Sequence, residues 1–497
     1  MKKFLIVPMG GVGRRFLNEG YQTYKPFLSI DKKKKIFDKI VDNFDADTSI
    51  IVVGNKNKIQ KYLKDKTKIY LVDIKNHKKG PLFSLYLAQS QIKKIVKNHN
   101  IFICYSDIIW KWKFNDVLHK LKEKKSQATV FTHTGFHPHL EFDQKSDFCI
   151  ENNENLITKI SQKKINYNDY TKELLATGCY YFEKWDTIST ELKKFCFKDI
   201  KNKEYYMVSL INKLMKKIKI NHYLIEKFAH LGTPNQYNDY LKWQNIFQNH
   251  SNNTLGLNYT NIMLMGGKGS RVKKLNSKKP FLKIFGQEIY SYIFKKFGSK
   301  NNIIITNQIY SQNLLKKYKL YLIAKTNSML STMIKSISLL QKYNKYFLTS
   351  CDCYGIFKPF RLKKFIKLNK PDIIIFAYKF SNIQRKLKNS HTELIIKKNE
   401  IIKINVKKIS NKSNLGHAGF FWINSGSVFY YLNKFKNNEG KLIKKKREII
   451  IDDYLSYLVK NKLFKIKYFT LDDYMHIGSV TEYKEFNYWQ RYFYEHS

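Results

Sequence analysis

Short apolar runs alternate along this chain with longer segments in which apolar residues recur among lysines. In the first half the runs fall at Phe4–Pro8, Ser49–Val53, Ile69–Val72, Ile101–Tyr105 and Ala128–Thr132, each of strand length. Amphipathic spacing predicts helices over Lys35–Asn43, Pro81–Ile95 and Phe114–Lys124. The second half repeats the order, with strands expected at Ile262–Met265, Ile303–Thr306, Tyr321–Ala324, Tyr346–Thr349 and Ile373–Tyr378. Strands alternating with helices predict an α/β fold built on mainly parallel sheets covered on both faces.

The repetition extends to chemistry. "VPMGGVGRRF" followed by "YKPFLSI" near the start is echoed by "MLMGGKGSRV" followed by "KKPFLKI" past the midpoint. A repeat this long is a duplicated domain and not a solenoid unit. Between the halves lies the polar, asparagine-rich stretch Gln248–Thr260, which reads as a linker. The expected organisation is therefore a first domain over 1–247, a linker over 248–260 and a second domain over 261–497.

Each copy runs an apolar strand into a glycine turn. Gly10, Gly11 and Gly13, and again Gly266, Gly267 and Gly269, permit a tight turn whose N–H groups can face an anion. Such a turn alone is a weak signal. Here each is followed by an arginine, Arg15 or Arg271, and then by a lysine before proline, Lys25 or Lys279. Arginine clamps phosphate oxygens bidentately and lysine supplies a point charge. Ligands of open parallel sheets sit beyond the carboxyl ends of the strands, where these residues fall.

Composition refines this reading without redirecting it. At 497 residues with 43% hydrophobic content, the chain can fill two cores. The net charge of +52 raises nucleic acid as a partner. Yet Lys, Asn, Ile, Tyr and Phe all have A/T-rich codons, and the lysines are dispersed instead of forming one basic arm. No specific nucleic-acid partner is therefore expected. The six cysteines form no CxxC pair and no disulfide framework, so reduced thiols and a cytoplasmic location are expected. "MKKFLIVPMGG" mimics a signal peptide, but its apolar run is short and leads straight into the glycine loop, so it reads as a first strand. No apolar stretch reaches transmembrane length.

With these motifs in place, the chain resembles the nucleoside-diphospho-sugar pyrophosphorylases, or sugar nucleotidyltransferases, whose signature is a strand, a GGxG[ST]R-like loop and a Lys-Pro. "GGKGSR" fits well; the first copy has Arg14 at the Ser/Thr position and looks more like the subgroup of capsule and surface-polysaccharide pathways. The resemblance implies two tandem Rossmann-like nucleotidyltransferase domains of the glycosyltransferase-A-like type. It implies that Asp107 in "CYSDI" and Asp352 in "TSCDCYG" hold Mg²⁺ at the nucleotide phosphates. A carboxylate at a strand end facing a glycine loop suits such a hard cation; the alternative is an aspartate capping the next turn. Lys163 in "ITKISQKKI" and Lys407 in "IIKINVKKI" would bind the acceptor phosphate, although the family's preceding glutamate is Gln162 and Val406 here. Gly80 opens a helix at the position that contacts the base; its counterpart is Ser328.

Other segments follow in family order. Ala176–Phe182 and His417–Trp422 match the sugar-contacting strand, and Glu204, Asp452 and Asp453 lie in the next shared segments. "AHLGTPNQY" and "MHIGSVTEY" resemble the segment that often supplies a second magnesium ligand, but the matching positions hold His230 and His476, and imidazole is a poor Mg²⁺ ligand. His133, His137 and His139 in "HTGFHPHL" lack the companions of a zinc site and fit an acceptor-binding loop better. Cys351 and Cys353 flank Asp352, but alternation along a strand prevents all three from facing one ion.

The expected reaction joins an NTP to a sugar phosphate, or a similar phosphorylated polyol, with release of pyrophosphate, and feeds surface-polysaccharide synthesis. Three alternatives stand beside it. A nucleotide-sugar-dependent glycosyltransferase would be expected to carry a D-x-D motif, which "YSDII" and "SCDCY" lack. One copy, more readily the second, could be a non-catalytic regulatory or assembly module. A basic binding protein is indicated by charge alone. The base, the acceptor and the oligomeric state are not readable from the sequence.

Overall fold

The computed structural model describes residues 2–63, 68–141, 148–153, 156–162, 170–195, 197, 204–249, 258–267, 269, 272, 275, 278–297, 299, 301–314, 318–387, 390–410, 415–444 and 449–494. The chain divides into two compact units, Met1–Leu241 and Lys242–Ser497. The division falls inside the helix Pro234–Gln248, so residues 242–247 group with the second unit. Residues 250–257 of the expected linker lie outside the described residues.

The strands of the first unit are β1 (Lys3–Pro8), β2 (Ser49–Gly54), β3 (Ile69–Asp73), β4 (Asn100–Cys104), β5 (Ile108–Lys111), β6 (Ala128–His133), β7 (Phe148–Asn153), β8 (Leu156–Gln162), β9 (Leu175–Phe182), β10 (Ile220–Leu224) and β11 (Lys227–His230). Among the described residues its main sheet runs β3-β2-β1-β4-β9-β6-β10-β8-β7. β3, β2, β1 and β4 are parallel neighbours, and so are β6 and β10. β9 runs antiparallel between β4 and β6, and β8 and β7 extend the far edge with antiparallel pairings. "SIIVVG" in β2 is buried at every position, as expected of a parallel strand covered on both faces. The helix Pro81–Val96 lays Leu82, Leu85, Ala88, Ile92 and Val96 along one side, and this stripe joins Ile6, Ile51, Val53 and Ile103 of the sheet in one core.

The second unit contains β12 (Thr260–Met265), β13 (Lys283–Ile284), β14 (Gln287–Glu288), β15 (Asn301–Thr306), β16 (Lys319–Leu322), β17 (Asn344–Ser350), β18 (Cys353–Ile356), β19 (Ile373–Lys379), β20 (Glu393–Lys397), β21 (Glu400–Asn405), β22 (Leu415–Ser425), β23 (Ile466–Thr470) and β24 (Asp473–His476). Its sheet runs β16-β15-β12-β17-β22-β19-β23. Position by position this is the order β3-β2-β1-β4-β9-β6-β10, with β22 as the antiparallel strand. A small ribbon recurs as well: β5 pairs with β11, and β18 with β24. The α/β class with large, mostly parallel sheets is as the sequence predicts.

Two local differences have physical causes. The strand expected at Tyr321–Ala324 lies at Lys319–Leu322, because the chain then bends so that Thr326 N–H donates to Gly266 O at 3.1 Å. The counterpart of the helix Pro81–Val96 is split into Met329–Lys335 and Ile337–Lys342. At the break Ser336 Oγ donates to Thr332 O at 2.8 Å, a local bond that competes with the helical ladder. No helix among the described residues is long and apolar enough to cross a membrane.

The C-terminal turns of the helix Pro234–Gln248 are tied to the second unit. Trp243 Nε1 donates to Glu485 at 3.0 Å, and Asn245 Nδ2 donates to Asp473 Oδ2. Burial pushes the Asp473 carboxyl up to about 6, against the pull of Asn245 and Lys242. A folded-state value above the ordinary 3.8 means that ionised Asp473 costs stability once the pH exceeds both values. Asp473→Asn should therefore stabilise the second unit by roughly 3 kcal/mol near neutral pH. The gain should vanish below about pH 4. Urea unfolding of both proteins across this range checks the size and the sign.

Candidate functional site

In the first unit β1 ends against β2, where Met9 N–H donates to Val53 O at 2.7 Å, and the chain turns through Gly10, Gly11 and Gly13. Gly10 has no room for a side chain: a Cβ there would stand 2.6 Å from His77 Nε2 and from Ser84 Oγ, two groups that bond each other at 2.9 Å. The second unit repeats the packing with different chemistry. A Cβ on Gly266 would stand 2.7 Å from Thr332 Oγ1 and 2.8 Å from Thr326 Oγ1, themselves 2.7 Å apart. Gly11 and Gly267 behave oppositely, with nothing within 4 Å of the missing Cβ. Each loop is tied by a tyrosine: Tyr24 donates to Gly11 O at 2.8 Å, and Tyr310 to Gly267 O at 2.9 Å. Gly13 and Gly269 adopt left-handed φ values of 71° and 61°.

Lys25 heads the short 3₁₀ turn Lys25–Phe27, and Lys279 heads Lys279–Phe281, each with proline fixing the first turn. Asp107 stands between β4 and β5, and Asp352 between β17 and β18. Each lysine meets the aspartate of its own unit. Lys25 Nζ lies 2.9 Å from Asp107 Oδ2, and Lys279 Nζ contacts Asp352 Oδ2 directly. Burial tends to raise the Asp107 pKa, but the charges of Lys25, His230 and Arg15 outweigh it and hold the carboxyl at about 2. Burial of Asp352 is likewise outweighed, by Lys279 and His476, and its carboxyl lies well below the usual range.

The remaining expected residues divide. Arg15 is exposed on the helix Arg14–Asn18, close enough for its charge to act on Asp107. Lys163 and Arg271 lie outside the described residues. Gly80 caps the helix Pro81–Val96 with φ 83°. A Cβ there would come within 2.7 Å of the Tyr205 backbone, which bonds to both sides of the glycine through Lys79 O and Leu82 N–H. Ser328 takes the cap in the second unit by accepting from Ser331 N–H at 3.1 Å.

In the second unit Gly266, Gly267, Gly269, Lys279, Asp352 and Lys407 line one cavity of about 430 Å³. Lys407 adopts φ 51°, and its N–H donates to Thr392 Oγ1 at 3.2 Å. Thr392 in turn donates to Asp452 Oδ2 at 2.5 Å, and Asp452 Oδ1 lies 2.6 Å from His417 Nδ1. Burial of Asp452 is outweighed by His417 and Lys407, and its carboxyl is lowered. Its neighbour Asp453 caps a helix, accepting from Ile450 N–H at 2.9 Å.

A buried charged group that the motifs did not single out completes this site. His476 Nδ1 lies 2.6 Å from Glu482 Oε1, and its Nε2 lies 3.6 Å from Asp352 Oδ2. His391 Nε2 approaches the same Glu482 oxygen at 3.4 Å, while its Nδ1 bonds Tyr378 Oη at 2.9 Å. Burial would discharge His476, but Glu482, Cys353 and Asp352 outweigh it and raise its pKa well above the ordinary value. The signal for Glu482 was present in "MHIGSVTEY" against "AHLGTPNQY": glutamate stands where the first copy has Gln236. In both copies a glycine follows two residues after the histidine, and a Cβ on Gly232 or Gly478 would strike the imidazole.

His133, His137 and His139 form an aromatic cluster with Phe228 and His230. His133 and His137 are buried, with ring centroids 4.1 Å apart, and His133 stacks on Phe228 at 4.6 Å. His139 lies 5.1 Å from His230. Among the described residues the groups with converging metal donors are instead Asp352, Cys353 and His476, and His391, His476 and Glu482.

No protein-family model matches the chain, and no curated protein matches it. Solved structures do. The chain is similar to the nucleoside-diphosphate-sugar pyrophosphorylase from Vibrio cholerae RC9, at 17% identity over 48% of this chain and 99% of that one, with a TM-score of 0.39. It is similar to the inositol-1-phosphate CTP transferase from T. maritima, at 19% identity over 49% of this chain and 99% of that one, with a TM-score of 0.37. A UDP-glucose pyrophosphorylase is similar at 18% identity over 48% and 97% of the two chains, with a TM-score of 0.40.

The Asp107 carboxyl, lowered from 3.8 to about 2, contributes stability that is present above the unfolded value and lost as the pH falls through the folded one. Asp107→Asn should cost about 2 kcal/mol near neutral pH. The difference from wild type should shrink between about pH 4 and about pH 2. Urea midpoints of the two proteins over this range measure it.

Proposed function

We propose that the chain is a nucleotidyltransferase that joins an NTP to a sugar phosphate, or a similar small phosphorylated alcohol, and releases pyrophosphate. One observation carries the reading: twice in one chain, a glycine loop, a lysine and an ionised aspartate converge beyond the ends of parallel strands. That is where open α/β sheets bind nucleotides. In this reading residues 1–247 and 261–497 are two copies of one catalytic domain.

In the first copy the open face of Gly11, the amides around Gly10 and Gly13, and Arg15 hold the β- and γ-phosphates. Lys25 stabilises charge developing at the α-phosphate. Gly80 lets the base approach the backbone, and Lys163 holds the acceptor phosphate. An oxygen of that phosphate attacks the α-phosphorus in line. The new P–O bond replaces the bond to the bridging oxygen of the β-phosphate, and pyrophosphate leaves with the electron pair. No covalent enzyme intermediate is required; positioning and neutralisation of charge supply the rate. Asp107, a hard oxygen donor that stays ionised to about pH 2, fits Mg²⁺, which would neutralise phosphate oxygens when bound. In the second copy Gly266, Gly267, Gly269, Arg271, Lys279 and Lys407 stand in the same roles. The metal role of Asp352 falls to a different donor set, because thiol and imidazole flank it.

The resemblance of the first copy to capsule-pathway enzymes supports surface-polysaccharide precursors as the product, made from soluble NTP and sugar or polyol phosphate. A second reading, in which the second copy regulates or assembles, is favoured by the enclosure of Lys279 and Asp352, each 8% exposed with His476 beside them.

Pyrophosphate release against four nucleotides and a panel of sugar and polyol phosphates tests both readings. Asp107→Asn and Lys25→Met should each lower kcat at least about 100-fold with the preferred pair. Activity with no pair refutes nucleotidyl transfer. Full activity of Asp352→Asn with every accepted pair assigns the second copy to the non-catalytic reading.

A further inference from the structure

The ribbon of β18 and β24 sets Cys353 directly opposite His476. Opposed residues of an antiparallel pair project from one face with Cβ atoms about 5 Å apart. Asp352 immediately precedes Cys353, and the three side chains bring sulfur, nitrogen and oxygen donors to one wall of the second unit's cavity. Cys353 Sγ lies 3.2 Å from Asp352 Oδ1, His476 Nε2 lies 3.6 Å from Asp352 Oδ2, and all three donors lie within 4.8 Å of one another. Metal–donor bonds of about 2.0–2.3 Å in a tetrahedral zinc site place adjacent donors about 3.4–3.6 Å apart.

The surroundings hold these donors in place. His476 Nδ1 is held by Glu482 Oε1, which leaves Nε2 turned toward Asp352 and Cys353. A histidine ligand fixed at its other nitrogen by a carboxylate is the usual outer layer of a zinc site. Glu482 is itself fixed by Gly478 N–H at 3.2 Å and Ser479 Oγ at 2.9 Å, and Asp352 Oδ1 accepts from Ser350 Oγ at 2.5 Å. The bare face of Gly419 makes room for the sulfur, since a Cβ there would stand 3.0 Å from Cys353 Sγ.

We propose that Asp352, Cys353 and His476 form a zinc site specific to the second unit, with a fourth coordination position open to the cavity. Thiolate and imidazole select zinc-like ions over Mg²⁺. Binding would displace the thiol proton of Cys353 to solvent and take His476 Nε2 as a neutral nitrogen donor. Lys279 then shares Asp352 with the ion and is freed toward the cavity. The first unit cannot assemble this set. Ile108 stands opposite His230 in the same register, and Gln236 stands where the second unit has Glu482. The proposal rests on this geometry and not on the nucleotidyl-transfer reading.

The test uses the full chain, stripped by chelator and titrated with Co²⁺ alone. The expected result is a thiolate-to-cobalt charge-transfer band that saturates at one equivalent, is bleached by one equivalent of Zn²⁺ and survives excess Mg²⁺. Cys353→Ser should abolish the band and Cys351→Ser should retain it. His476→Gln should weaken zinc binding by at least about tenfold. A wild-type chain with no band and no bound zinc overturns the proposal, whether or not the variants fold. So does an undiminished band in Cys353→Ser. The pyrophosphate assay is read separately, so a cobalt band without pyrophosphate release sinks only the catalytic reading, and the converse sinks only the zinc site.

Discussion

An ionised aspartate beyond the end of a central strand, withdrawn from water, is the constraint around which both units are arranged. Removing a carboxylate from water is expensive unless cations and hydrogen bonds replace the lost hydration. Each unit meets that requirement with a lysine delivered by a proline-fixed turn and a histidine delivered by a two-stranded ribbon. The lysine can arrive only if the chain leaves the first strand in a tight turn, which Gly13 and Gly269 supply through positive φ. The histidine can arrive only if the ribbon folds back, which brings Leu231 N–H to Asp107 O and Ile477 N–H to Asp352 O. Sheet order, glycine loop and ribbon thus follow from placing one charge.

Much of this was legible in the chain. The apolar runs located the parallel strands because burial on both faces leaves little room for polar residues. The doubled glycine loop and the doubled Lys-Pro located one half of each site, and the strand-terminal aspartates the other. Less visible was what depends on pairing between distant segments. Asp452 and Asp453 are adjacent and chemically identical in the sequence, yet one faces the cavity and the other caps a helix. Cys353 was set aside because neighbours on a strand alternate. Alternation would divide Asp352 from both cysteines, but β18 begins only at Cys353, so Asp352 precedes the pleat and the Cys353 thiol reaches its carboxylate. His391 reaches Glu482 across 91 positions of chain, and no local pattern signals such a contact.

The two copies show which parts of the arrangement tolerate change. Gly10 packs on a histidine–serine pair and Gly266 on two threonines, so the close contact is kept while the hydrogen-bonding partners differ. The helix behind the loop is continuous in one unit and broken at Ser336 in the other. The tyrosine that ties the loop comes from the Lys-Pro turn in the first unit and from the helix Gln308–Ser311 in the second. Geometry around the strand end is retained and the residues that realise it are exchanged.

The Lys–Asp pair is therefore the weaker guide to activity, since folding already requires that the buried aspartate be neutralised. A buried ion pair is poor evidence of a stability optimum, and an apolar pair of similar volume often serves as well. Groups that the fold does not need carry more information. The second unit buries His391, His417 and Asp452 around one cavity and Glu482 against His391 and His476, where the neutralisation of Asp352 demands only Lys279 and His476. Each added polar group is buried at a cost that hydrogen bonding only offsets. The first unit places isoleucine and glutamine at the positions of Cys353 and Glu482, so the fold forms without that chemistry. What the second unit adds beyond the shared scaffold is accordingly a set of buried polar groups that folding does not require, and these distinguish the two units more sharply than the repeat unites them.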